Sequence, residues 1–135
     1  MVNQQFAFAV HIMTALAFAG ESMDSRALAR SVNTNPVVVR RILLALRAAG
    51  LVETVAGKHG GSRLRKSADR ISLRDIYDAV ESQPIIPVSQ RKAWKHCAVS
   101  CQMKEIMGKV ARDAENAMRA QLKAITLRKL LRRIA

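Results

Sequence analysis

The dipeptide Asn35-Pro36 fixes a helix start near the middle of the N-terminal half. Asparagine accepts hydrogen bonds from the first free backbone N–H groups, and proline fits the first helical position, where its missing N–H costs nothing. From Pro36 to about Ala49, the residues Val39, Ile42, Leu43 and Leu46 recur every three or four positions. That spacing predicts a helix with one buried face, stopped by Gly50. Just upstream, Asp24 or Ser25 can cap a short helix with Leu28, Ala29 and Val32 inward, and 32–35 reads as a turn. Two short helices joined by a tight turn, the second firmly capped, make a helix-turn-helix pattern.

The flanks extend this pattern. A first helix is expected from about Gln4 to Phe18, with Phe6, Val10, Met13, Leu16 and Ala17 as its stripe and Gly20 as its end. After Gly50 the period switches to two in Leu51-Val52-Glu53-Thr54-Val55, as in a strand. Gly57-Lys58-His59-Gly60-Gly61 then reads as a tight turn and Ser62–Arg65 as the returning strand. Behind a helix-turn-helix, such a glycine-rich, cationic hairpin has the character of a wing. Its three glycines are expected to supply positive φ for the turn. Ser72-Leu73-Arg74-Asp75 has the form of a capping box, opening a helix through Glu81 with Leu73, Ile76, Tyr77 and Val80 inward. Gln83–Pro87 breaks regular structure. A long amphipathic helix is expected beyond it, because Met103, Met107, Val110, Ala114, Met118, Leu122 and Ile125 keep helical spacing. Nothing further in the chain is available to bury that stripe, so a dimer seam is the natural reading for Met103, Met107, Val110, Ala114, Met118 and Leu122. The expected fold is mainly α (α+β): a winged helix-turn-helix over 1–82, a hinge and sensor segment over 83–102, and a dimerisation helix with a basic tail over 103–135.

Charge says what kind of partner such a chain meets. It carries 23 Lys and Arg against 10 Asp and Glu, a formal net charge of +13. The excess lies in two blocks, net +6 over residues 1–67 and net +9 over 91–135, separated by a slightly acidic stretch. A half-apolar chain with this charge is a folded protein facing a polyanion, with double-stranded DNA ahead of an anionic membrane. The apolar run Phe6–Gly20 is too short to span a bilayer and has no basic residue before it, so neither a membrane span nor a secretory signal is expected. Two cysteines do not make a disulfide framework, and the expected location is cytoplasmic. No nucleophile is linked to a base and no carboxylate pair stands on apolar ground, so an enzyme is not indicated.

Within this frame the recognition-helix candidates are Thr34, Asn35, Val37, Val38, Arg40 and Arg41. They avoid the inward stripe or sit at the helix start, the part presented to base edges. Arginine there can bind guanine bidentately and valine can pack on a thymine methyl. Lys58, His59, Ser62, Arg63 and Arg65 are the wing candidates, suited to phosphate and minor-groove contact. Each cation also has an ordinary reading as a solvated surface charge. Cys97 and Cys101 lie four apart, on one face if helical, with Lys95, His96 and Lys104 nearby to favour a thiolate. They can serve as a thiol switch or simply as two small packing residues. Trp94 reads as packing beside the long helix.

The run Asn33–Leu43 with Leu46 and Ala49–Val52, followed by Gly57-x-x-Gly60-Gly61 and Ile71–Ile76, resembles the Rrf2 family of winged-helix regulators over nearly the whole chain. The resemblance implies a homodimer whose long C-terminal helices pack together. It also implies recognition helices in successive major grooves of a palindromic operator and wings in the flanking minor grooves. Many members sense iron–sulfur status, nitric oxide, redox state or cysteine supply. Two departures matter. Ser62 stands where the family's wing usually carries an aromatic residue. Cluster-binding members supply three cysteines in the sensor segment, whereas only Cys97 and Cys101 exist here, with Ser100 where a histidine can follow. No metal ligand set, iron–sulfur cluster or other cofactor is therefore expected. The sequence reads as a sequence-specific DNA-binding transcriptional regulator, a repressor acting as a homodimer. A thiol- or metal-responsive sensor and a protein-docking module that no longer binds DNA are the alternatives.

Overall fold

The computed structural model describes residues 3–134. Its elements run α1 (Gln5–Ala19), α2 (Ser25–Val32), α3 (Pro36–Ala48), β1 (Val52–Val55), β2 (Gly61–Leu64), α4 (Leu73–Val80), α5 (Ala98–Lys123) and α6 (Leu127–Leu131), with a 3-10 turn at Ala68–Arg70. This is a winged-helix architecture with one two-stranded antiparallel hairpin and a long C-terminal helix.

Local chemistry sets most boundaries. Asp24 caps α2 by accepting from Ala27 N–H at 2.8 Å, and Asn33 ends that helix in the left-handed conformation, φ 66°. Asn35 caps α3 by accepting from Val37 N–H at 2.8 Å, with Pro36 directly after it. Ser72 and Asp75 complete the capping box: Ser72 Oγ accepts from Asp75 N–H and Asp75 Oδ2 accepts from Ser72 N–H at 3.0 Å. Each arrangement satisfies donors that a helix start otherwise leaves open.

The chain forms two compact units, one running to Glu81 and resuming at Leu122, the other covering Ser82–Gln121. The first unit is built on Ile12, Met13, Leu16, Leu28, Ile42, Leu46, Ile71, Ile76 and Leu127, all at most 2% exposed. Burying a side chain of this size contributes about 1.5–3 kcal/mol relative to leaving it in water. Phe6 meets Tyr77 edge to face, with ring centroids 5.4 Å apart. On α1 the core face is centred on Ala9, Ile12, Met13 and Leu16, whereas Phe6, Val10 and Ala17 are only half-buried. The expected stripe was rotated because α1 is apolar nearly all round, which leaves periodicity little to resolve.

The sequence had 103–135 as one dimerisation helix with a trailing basic tail. Instead α5 begins at Ala98, and from Leu122 the chain rejoins the first unit. Leu73 N–H donates to Ile125 C=O at 2.8 Å and Leu127 N–H to Ile71 C=O at 3.0 Å, pinning α6 beside the start of α4. Leu127 is fully buried and Leu122, Ile125, Leu130 and Leu131 pack around it. Leu122, placed on the seam by its spacing, is thus a packing residue of the first unit.

In the second unit no residue of α5 is buried, and Val99, Met103, Ile106 and Val110 are exposed. Met107, Ala114 and Met118 are half-buried. Lys109 pairs with Asp113 at 2.8 Å, one helical turn apart. That hydrogen bond and the ammonium charge hold the Asp113 carboxyl below its ordinary pKa. No helix among the described residues is long and apolar enough to cross a membrane.

Candidate nucleic-acid interface

The exposed face of α3 follows from its capped start and its inward stripe. With Val39, Ile42, Leu43 and Leu46 buried, the helix turns Val37, Arg40, Leu44 and Arg47 outward at spacings of three, four and three. Val37 is 60% exposed and Leu44 57%, unusual for apolar side chains on a helix this well packed. Of the sequence candidates, Val37, Arg40 and Arg41 lie on the surface. Arg41 sits at the edge nearest the start of α1, where it borders a cleft with Asn3 and Phe8. Thr34 is half-buried in the turn, its N–H bonded to Ala29 C=O at 3.0 Å. The Asn35 side chain is exposed but its Oδ1 is occupied as the cap. Val38 is half-buried against the core. Leu44 and Arg47 were missed, although their spacing from Val37 and Arg40 was readable in the sequence.

The hairpin stands beside this face in the register Val52↔Leu64, Glu53↔Arg63, Thr54↔Ser62, Val55↔Gly61. Alternation places Thr54 and Ser62 on one side and Glu53 and Arg63 on the other. Thr54 and Ser62 line a groove with Arg40, Leu44 and Arg47, so the wing and α3 share one surface. Arg47 Nη1 donates to Thr54 Oγ1 at 2.8 Å, tying the two elements.

On the other side Arg63 donates from Nε to Glu53 Oε2 at 2.8 Å and also pairs through Nη2 at 2.7 Å. This wing cation already has a carboxylate. Lys58, His59 and Arg65 are exposed, and the His59 carbonyl accepts from Ser22 Oγ at 2.8 Å, which tethers the tip. Gly57 and Gly61 have positive φ, 101° and 148°. Gly60 does not, so the expected reason fails there; a Cβ at Gly60 would instead strike the Val55 carbonyl.

Within the second unit the two cysteines meet a small knot around the start of α5. Trp94 N–H donates to Ser100 Oγ at 2.7 Å, Cys97 N–H to Trp94 C=O at 3.0 Å, and the Cys101 thiol to the same carbonyl at 3.6 Å. Trp94 itself is exposed and meets His96 edge to face, so it is not the packing residue expected from its place in the sequence. Both cysteines are free thiols, Cys97 half-buried and Cys101 exposed.

The sequence that folds into this capped α3 and cationic hairpin matches a family model. The Rrf2 model, described as an iron-dependent transcriptional regulator, covers residues 2–133. The chain belongs to the Rrf2 family. This Rrf2 protein is similar to YwnA of Bacillus subtilis, named as an HTH-type transcriptional regulator, with 31% identity across 97% of each chain. Among solved structures it resembles one described as a transcriptional regulator from Lactobacillus plantarum, with TM-score 0.81 and 26% identity over 97% of this chain and 89% of that one. It shares the fold of T. potens IscR, with TM-score 0.75 and 21% identity over 100% and 88% of the two chains. An Rrf2 chain is a transcriptional regulator and not an enzyme.

The iron in the family description calls for a donor set, which the chain itself can be tested for. Among the described residues no three His, Cys, Asp or Glu side chains come together as a metal site would require. Cys97 and Cys101 alone do not fill the four positions of an iron–thiolate centre.

Proposed function

We propose that this regulator binds a palindromic operator as a homodimer and represses by occluding it, acting in the cytoplasm where its DNA partner lies. Helix α3 enters the major groove, with Val37, Arg40 and Arg41 reaching base edges, joined by Leu44 and Arg47. The wing follows the flanking backbone and minor groove through Lys58, His59 and Arg65, with Ser62 opposite Thr54 near the tip and Arg63 once released from Glu53. The observation that carries this reading is the outward row Val37–Arg40–Leu44–Arg47 beside the wing. Exposed valine and leucine alternating with arginines suit thymine methyls alternating with guanines better than they suit water. The exposed apolar residues of α5, Met103, Ile106 and Val110, support a second copy as the partner of that helix, with Met107, Ala114 and Met118 at its margins.

The test is selection of bound duplexes from a random library, followed by titration at several salt concentrations and sedimentation of the free protein. A two-fold-symmetric site, a steep salt slope and a dimer are expected. Shallow, sequence-blind binding by a monomer would defeat the reading and favour a protein-docking module.

A second reading is favoured by the ties of Cys97 and Cys101 to Trp94 and Ser100. In it, thiol oxidation disrupts the start of α5 and alters DNA affinity. The Cys97→Ser, Cys101→Ser double variant would keep reduced affinity and lose the oxidant response; an unchanged response removes this reading.

A further inference from the structure

The same unit carries a second cationic surface, on the side of the wing away from α3. Helix α6 turns Leu127, Leu130 and Leu131 inward and leaves Arg128, Lys129, Arg132 and Arg133 exposed. It packs against the 3-10 turn that directly follows the wing's return strand, where Lys66 and Arg70 add to the charge. Arg63, on the wing's far face, borders one cleft together with Ser67, Arg128 and Leu131. Two acids lie in this neighbourhood: Glu21, which borders the same cleft, and Asp69, whose carboxyl lies below its ordinary pKa through the Ser67 hydrogen bond, with smaller contributions from Arg128 and Arg70. No ion pair among the described residues engages Arg128, Arg132 or Arg133.

We propose that α6 is a phosphate-binding flank: Arg128, Arg132 and Arg133 contact the DNA backbone beyond the wing and lengthen the footprint past the sequence-specific site. This rests on the DNA-binding reading above. With α3 in a major groove and the wing in the next minor groove, an element on the wing's far side lies along the following backbone. A row of unpaired arginines there meets phosphates, whose contacts release counterions and carry no base information. An acidic protein surface is the other partner such a row fits, and the experiment separates the two.

The full-length protein is titrated against two duplexes, one trimmed to the selected site and one carrying about ten further base pairs of arbitrary sequence on each side, a length of roughly one helical turn. Wild-type protein is expected to bind the longer duplex several-fold more tightly. The Arg128→Gln, Arg132→Gln, Arg133→Gln variant is expected to lose that difference, bind the trimmed duplex as wild type does, and keep the same base preference. Its log–log salt slope on the long duplex should fall by about 5, as expected for three lost phosphate contacts on each protomer of the dimer. The corresponding triple Lys variant retains charge and should retain the flank effect, which distinguishes lost contacts from a damaged fold. If wild type gains nothing from added flanks, or the Gln variant keeps the full gain and slope, the flank proposal is overturned and α6 is left to an acidic protein. If wild type selects no sequence at all, the DNA-binding reading falls first.

Discussion

Met23 and Ser62 exchange two backbone hydrogen bonds, each 2.9 Å long, so the loop before α2 adds a single rung to the edge of the wing. The approach is close because Gly61 precedes Ser62: a Cβ at that position would run into the Met23 carbonyl. Gly61→Ala therefore combines an unfavourable φ with a backbone collision. A loss of about 1–3 kcal/mol is expected, measured by thermal unfolding. Gly57→Ala shares the positive φ but has open space around its new methyl, and should cost less. Equal losses would deny the rung its structural role.

Asn35 was a base-contact candidate, yet its side chain already holds Val37 N–H. Asn35→Ala should lower stability by about 0.5–2 kcal/mol, the range for a lost helix cap. Asn35→Ser, which can cap, should restore both stability and operator preference. A changed preference in the Ser variant would instead mark Asn35 as a base reader.

Arg40 has no ion pair among the described residues and faces the groove between α3 and the wing. Arg40→Ala should cost about 1–3 kcal/mol of operator binding for each half-site and relax selectivity at one base pair in each. Lys58→Ala should weaken all sequences alike. Library selection with each variant distinguishes the two patterns.

The Glu53–Arg63 pair is largely solvent-exposed, with side chains 39% and 55% accessible, so it adds little stability, about 0–1 kcal/mol. Its larger consequence is to neutralise a wing cation. Glu53→Gln should raise DNA affinity several-fold at low salt and leave the melting temperature nearly unchanged. Unaltered affinity would mean that Arg63 stays out of the interface.

Asp113 titrates below its ordinary value because Lys109 bonds to the charged form. A carboxyl depressed in the folded state stabilises that state above its unfolded pKa, and the contribution disappears as pH falls through the depressed value. Lys109→Ala should move the Asp113 titration midpoint upward in a carboxylate NMR titration.

What the sequence disclosed was chemistry acting over three or four residues. Asn35-Pro36 and the Ser72–Asp75 box could be read because a cap depends only on its own first turn. The rotated stripe of α1 was hidden by apolar residues on every side. Met23 could not be assigned to the wing, since its partner Ser62 lies far along the chain and one rung leaves no alternation. Val38 looked available from spacing alone; neighbouring α1 decides its burial. The return of Leu127 to the core was masked by cations at Arg128, Lys129, Arg132 and Arg133, which made the segment resemble a solvated tail.

That return also orders events during synthesis. Leu127 fills the centre of the DNA-binding unit, yet a ribosome makes it only after all of residues 82–121. A chain that stops after α4 lacks both this leucine and the bond from Leu127 N–H to Ile71 C=O, so the observed core requires the segment from Leu122 to have been made.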